Sequence, residues 1–332
     1  MDYILKQAVL ATILYYDVFD YPLTVFEAHR HLINPSRFGA VFDVARHSVS
    51  LADIGNILND LVQYKYIWSR NGFYFLFGRD DIFELRLERQ KIADLKIKMA
   101  RKLMCLLSIT PFLRAGFISG SLAMRNTDES SDYDMLLITR SGRLYTCRLL
   151  LSAITSLFGV RRTRFEKIAP DKLCFNYFIT ENGLDIRFQS LYTAQAYVGL
   201  KPAYGDPRIF KKFYEQNGWI KKYVINGGRP DEGWYHSERR YPVAGFFRKI
   251  AEVVLLTPLG DLFELWAKKY QQKRIAFNPA TYESGGRVTF SDLALEFHPR
   301  SFEKTVLEKY NNGLARFRIP TLASEEDSGL TK

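Results

Sequence analysis

Two apolar runs, Ala115 to Ser119 (AGFIS) and Met135 to Ile138 (MLLI), read as buried strands, and the polar stretch between them ends in two carboxylates, Asp132 and Asp134. On a strand, residues i and i+2 point to the same face, so both acids project together while Tyr133 points away. Side by side they repel, and burying them without a partner costs several kcal/mol. A cation between them relieves both costs. Oxygen ligands that leave room for retained waters favour magnesium over zinc. Upstream, Gly120-Ser121 follows the first strand and precedes a short helical segment. Gly allows close backbone approach there, and the free N–H groups that follow suit an anion. A phosphate cradle and a metal clamp are thus expected within about a dozen residues of each other.

The order FISGS, then LAMRNTDESS, then DYDMLLIT resembles the signature of the DNA polymerase beta-like nucleotidyltransferase superfamily, most of all its minimal nucleotidyltransferases. The resemblance covers roughly residues 115–190. It implies an α/β (α+β) fold, a mixed sheet with flanking helices. It also implies two Mg2+ ions held by Asp132 and Asp134, an NTP held by Gly120 and Ser121, and attack of an acceptor hydroxyl on the alpha-phosphate with loss of pyrophosphate. RNA, a protein or a small molecule remain open as acceptor. The family adds a third carboxylate on a later strand. The strand KLCFNYFIT offers only Asn176, whereas Asp185 lies in LDIRFQS, which reads as its hairpin partner around Asn182-Gly183. Asp185 is the candidate third catalytic acid, with Arg187 on its side of the strand. Asn176 is the alternative, and Asn makes a poor general base. The leading expectation is a metal-dependent nucleotidyltransferase. The alternative is a nucleotide-binding regulatory protein with a degenerate core.

Residues 1–78 read as three helices and a hairpin. Capping boxes at Thr24/Glu27 and Ser50/Asp53 open the second and third helices. Leu51, Ile54, Ile57, Leu58, Leu61 and Val62 keep the helical period, and Asn71-Gly72 is a strong hairpin turn. This order resembles a winged-helix module. Its third helix would present Asp53, Asn56, Asn59, Asp60 and Gln63, two acids and no cation, so specific DNA binding is not expected of it.

Residues 79–108 read as a helical connector, 109–192 as the nucleotidyltransferase core, 193–320 as a helical C-terminal domain ending in a helix with a Gly stop, and 321–332 as a disordered tail. The formal charge is +11, yet residues 1–78 hold 6 basic and 7 acidic side chains, so a phosphate-rich partner would be met further along. Arg161, Arg162 and Arg164 read as a solvated turn, with contact to substrate phosphate as the alternative, and His29 and His31 as surface histidines. The three cysteines lie far apart and suit a reducing cytoplasm. No apolar stretch reaches the roughly 18 residues of a membrane span. FFRKIAEVVLLTPLGDLFELW reads as core helices broken at Pro258, with a segment lying on a membrane surface as the alternative.

Overall fold

The computed structural model describes residues 2–39, 49–163, 165–228, 241–299 and 301–321; Arg164 and the tail from 322 lie outside them. The fold is mixed α/β, with nine strands in two sheets among the described residues. Strands β1 (Leu23–Thr24), β2 (Ile67–Arg70) and β3 (Phe73–Leu76) form the small sheet, in the order β1-β3-β2. Asn71 and Gly72 both take positive φ, 51° and 81°, as the two-residue turn between β2 and β3 requires. Both capping boxes form, and helix Leu51–Gln63 buries Ile54, Ile57, Leu58 and Leu61 while Asp53, Asn56, Asn59, Asp60 and Gln63 stay exposed.

The large sheet contains β4 (Leu113–Ile118), β5 (Tyr133–Thr139), β6 (Leu173–Thr180), β7 (Lys201–Gly205), β8 (Arg287–Phe290) and β9 (Ala294–His298), in the order β7-β4-β5-β6-β9-β8. Only β5 and β6 run parallel, which needs a crossover, and helix Leu144–Leu157 supplies it. Alternation along β5 sends Met135 and Leu137 into one core layer, and Leu136 and Ile138 into the other. The first layer packs against helices Asp81–Ile109, Leu144–Leu157 and Pro258–Ala276. The second meets helices Leu191–Val198 and Pro207–Gln216, where Phe117 lies 4.7 Å from Phe210 and 5.2 Å from Phe213, ring centre to ring centre.

Three expectations need correction. LDIRFQS is not a strand, and the second neighbour of β6 is β9. Leu184 and Ile186 are drawn into the core beside Phe213, and the Asn217 side chain satisfies the Leu184 carbonyl (2.8 Å) and the Ile186 N–H (3.0 Å), groups a strand partner would otherwise have bonded. The chain beyond residue 192 is not purely helical, because β7, β8 and β9 belong to the large sheet. The outer pair is tied to the last helix, Glu303–Arg316, by a buried ionic cluster: Arg287 lies 2.5 Å from Glu296 and 3.4 Å from Glu303. That helix runs through Gly313 rather than stopping there, and Leu14 packs where a side chain at 313 would stand.

A third core lies apart from the large sheet's two faces. It joins helix Asp2–Asp17, helix Val25–Arg30 and helix Leu51–Gln63 to Val306, Leu307, Tyr310 and Leu314 of the last helix. His31 belongs to its edge. Its ring bonds the Tyr16 hydroxyl (2.7 Å) and lies 3.2 Å from Gln195 Oε1, and the His29 ring meets the Val49 carbonyl at 2.9 Å. Both histidines are half-buried and hydrogen-bonded, not surface residues. Burial first, then the Arg30 charge, pushes the His31 pKa down to about 3, so the ring is neutral in the native protein.

Candidate active site

The chain leaves β4 at Ser119, whose N–H donates to the Asp134 carbonyl at 2.9 Å. This bond brings Gly120 over the Asp134 side chain. Gly120 has φ +66°, and a Cβ added there would lie 2.7 Å from Asp134 Oδ2. Only Gly leaves that carboxylate oxygen approachable. The short helix Gly120–Ala123 follows, with Ser121 half-exposed. The Ser121 hydroxyl makes no hydrogen bond among the described residues.

The loop that returns to β5 is pinned from below. Lys96, buried on helix Asp81–Ile109, donates to the Glu129 and Ser131 carbonyls and to Asp171 Oδ1, each at 2.9 Å. Tyr133 donates its hydroxyl to the same Asp171 oxygen at 2.7 Å. Asp128 folds the loop tip by accepting from the Ser130 and Ser131 hydroxyls at 2.7 and 2.8 Å, and those bonds lower its pKa. Asp132 and Asp134 are therefore held at the edge of the second core layer, in line with Leu136.

Each acid has its own partner. Arg162 Nη1 donates to Asp132 Oδ2 at 2.5 Å, and the same guanidinium reaches the Lys167 carbonyl at 3.3 Å. The predicted solvated turn thus places one arginine in the site. Asn176 Nδ2 donates to Asp134 Oδ1 at 2.8 Å. The register explains why. Asp134 pairs with Cys174 and Leu136 with Tyr177, so one extra residue of β6 bulges beside the acids and turns Asn176 toward them. Cys174 completes a cluster in which its Sγ and one oxygen of each of Asp132 and Asp134 lie within 4.8 Å of one another. Asp185 does not join that cluster. It is exposed, in the segment beyond the end of β6, whereas the acids lie beside the start of that strand. The structure therefore does not bring Asp185 into this cluster, and Asn176 is the residue that faces Asp134.

Burial first, and then the charge of Asp132, raises the Asp134 pKa to about 6. Burial, then Asp134 and Asp132, pushes the Cys174 thiol well above the ordinary thiol range. Two hard carboxylate oxygens and one thiol sulfur are thus the donors that this cluster offers to a metal ion, and Gly120 leaves the Asp134 oxygen approachable.

The folded protein retains a proton on Asp134 that the unfolded chain releases near pH 4, so this carboxyl stabilises the fold at low pH, and that contribution is lost as pH rises through about 6. In metal-free protein, Asp134→Asn should raise the melting temperature more at pH 7.5 than at pH 5. An equal change at both values would refute the shift. Gly120→Ala combines a left-handed backbone with a side chain against Asp134, and is expected to cost about 1–2 kcal/mol of stability. By covering Asp134 Oδ2 it should also weaken, by about tenfold or more in a calorimetric titration with magnesium, any binding of the ion at this pair.

No family model matches the chain, and neither a curated protein nor a solved structure matches it significantly.

Proposed function

We propose that the protein is a magnesium-dependent nucleotide-binding protein with a polymerase beta-like nucleotidyltransferase core, attached to an N-terminal winged-helix module, and that its transfer activity is weak. One observation carries this reading: Asn176, not a carboxylate, faces the Asp132/Asp134 pair. Asp132 and Asp134 would hold magnesium, which when bound supplies charge neutralisation to an NTP's phosphates. No third carboxylate joins the pair among the described residues, so a second ion would have fewer charged ligands than the first. Ser121 offers its hydroxyl and backbone N–H to phosphate oxygens. Arg162 sits on Asp132 and, once that carboxylate has another cation, can turn its guanidinium to phosphate. Asn176 holds the Asp134 carboxylate in orientation through its amide. It has no basic site for the acceptor hydroxyl's proton, so attack on the alpha-phosphate is left without a general base.

Full nucleotidyl transfer to an acceptor hydroxyl is the second reading, favoured by the paired acids and the open approach over Gly120. Incubation with each labelled NTP and magnesium, followed by mass analysis of protein, RNA and small-molecule fractions, separates the two. Retained nucleotide with little label transferred supports the proposal. Stoichiometric transfer to any fraction supports the second reading, and no retained nucleotide refutes both.

The winged-helix module is proposed as a docking or structural element. The exposed side of helix Leu51–Gln63 carries Asp53 and Asp60, the latter 3.8 Å from Lys6, and no cation to meet phosphate. The full chain is expected to bind duplex DNA without sequence preference at physiological salt. A submicromolar, sequence-dependent complex in a gel-shift titration would overturn this.

A further inference from the structure

Helices Pro242–Leu255 and Pro258–Ala276 form a hairpin that is packed inside out. In the first helix the polar side faces the protein. Arg248 donates to the Tyr204 hydroxyl at 2.7 Å, and Glu252 accepts from the Phe112 N–H at 2.7 Å and from Arg114 at 2.9 Å. The apolar side, Phe246, Phe247, Ile250, Val253 and Val254, follows the helical period and faces outward. The second helix repeats the arrangement. Glu264 caps the start of helix Leu144–Leu157 through the Tyr145 and Thr146 N–H groups, at 3.0 and 2.7 Å. Leu259, Leu262, Leu265 and Trp266 point away. These nine side chains are 48–75 % exposed. Core helices interrupted at Pro258 are therefore not what this segment forms. A contiguous apolar surface of this kind marks an interaction site.

The charges identify the occupant. Residues 241–277 hold six Lys or Arg and three Asp or Glu. All three acids are engaged with the body of the protein: Glu252 and Glu264 as above, and Asp261 with Arg143. Lys249, Lys269, Lys273 and Arg274 are exposed and make no ion pair among the described residues. Trp266 stacks on Tyr270, ring centres 5.6 Å apart and planes within 6°. Aromatic and aliphatic side chains flanked by unmatched cations complement an acyl boundary beneath anionic headgroups. A second copy of the face would instead set these cations against their own kind, with no acid to receive them.

We propose that this hairpin docks the protein peripherally on an anionic lipid surface, lying in the interface rather than crossing it. No helix of the described residues is long and apolar enough to cross a membrane. The test uses the full chain in flotation assays with vesicles of phosphatidylcholine, or of equal parts phosphatidylcholine and phosphatidylglycerol. Flotation is expected with the anionic vesicles, weakening as salt is raised, and at least about tenfold less with phosphatidylcholine. Trp266 emission should shift to the blue on binding, and Trp266→Phe should remove that shift. Lys269→Glu with Lys273→Glu should reduce binding about tenfold. Phe247→Ser with Leu262→Ser should abolish it, and circular dichroism of these surface variants checks that they fold. Absence of flotation with anionic vesicles, or equal binding to both compositions, would overturn the proposal. A concentration-dependent dimer that Phe247→Ser with Leu262→Ser dissolves, in protein that ignores vesicles, would assign the face to a second copy.

Discussion

Asp132→Asn combined with Asp134→Asn should abolish magnesium-dependent nucleotide binding and leave the fold intact. The expected loss is more than about 100-fold, since even outer partners of metal ligands are worth ~10–100-fold in affinity. Both substitutions preserve shape and remove only charge. The neutral amide at 132 can still accept from Arg162, and that at 134 still has Asn176 beside it. The metal-free variant should melt higher than metal-free parent, because the parent holds two repelling carboxylates at an edge where burial already opposes the charge of Asp134. Calorimetry with and without magnesium, together with thermal melts in chelator, reads both effects. Unchanged nucleotide affinity in magnesium would remove the site from consideration.

The second large effect is a gain. Asn176→Asp places a third carboxylate where the amide now bonds Asp134 at 2.8 Å. Magnesium affinity should rise by about tenfold or more, and nucleotidyl transfer by about 10²-fold or more, the ordinary worth of a positioned general base. In the absence of metal the same change should lower the melting temperature, since three acids then crowd one edge of the sheet. Asp185→Ala is the control. Its side chain is exposed and outside the cluster, so turnover and affinity should both stay within about twofold of the parent. A rise in activity that depends on Asp185 rather than on residue 176 would reverse the assignment.

The site was partly legible in the sequence. The pairing of Asp132 with Asp134 follows from strand alternation, and the need for Gly at 120 follows from the approach required at a carboxylate. Both are local, and the structure brings these residues together. Arg162 was legible only as the less favoured reading of its cluster, and Cys174 not at all. One arrives from an irregular segment whose arginines look solvated, and the other from a strand whose register cannot be read before its partner is known. Lys96 was hidden for a similar reason. It belongs to a helix that looks charged all round, and only its burial against the loop at 129–131 reveals its role. The false hairpin at 182–183 shows the converse. Asn-Gly and a flanking apolar alternation are a sound local signal, but Asn217 supplies the backbone partners that a strand would have supplied. The outer strands β8 and β9 are not legible in the sequence, because their attachment rests on Arg287, Glu296 and Glu303, charged residues that a sequence reading assigns to the surface.

The core shared by the first three helices and the last one has a bearing on how the chain is made. Leu5, Val9 and Leu14 emerge from the ribosome roughly 300 residues ahead of Val306, Tyr310 and Leu314, which lie in the same core. At about 5–20 residues per second, the interval between them is roughly 15–60 s. During that time the earliest helices have no final partner, and their apolar side stays open to solvent or to a chaperone. The large sheet has the same dependence, since β6 waits for β9 before its second edge is covered. Stop codons or truncations near residue 300 should therefore lose more than the end of the chain: they should yield insoluble product in which the N-terminal helices are as susceptible to protease as the shortened end, although every residue of those helices is present.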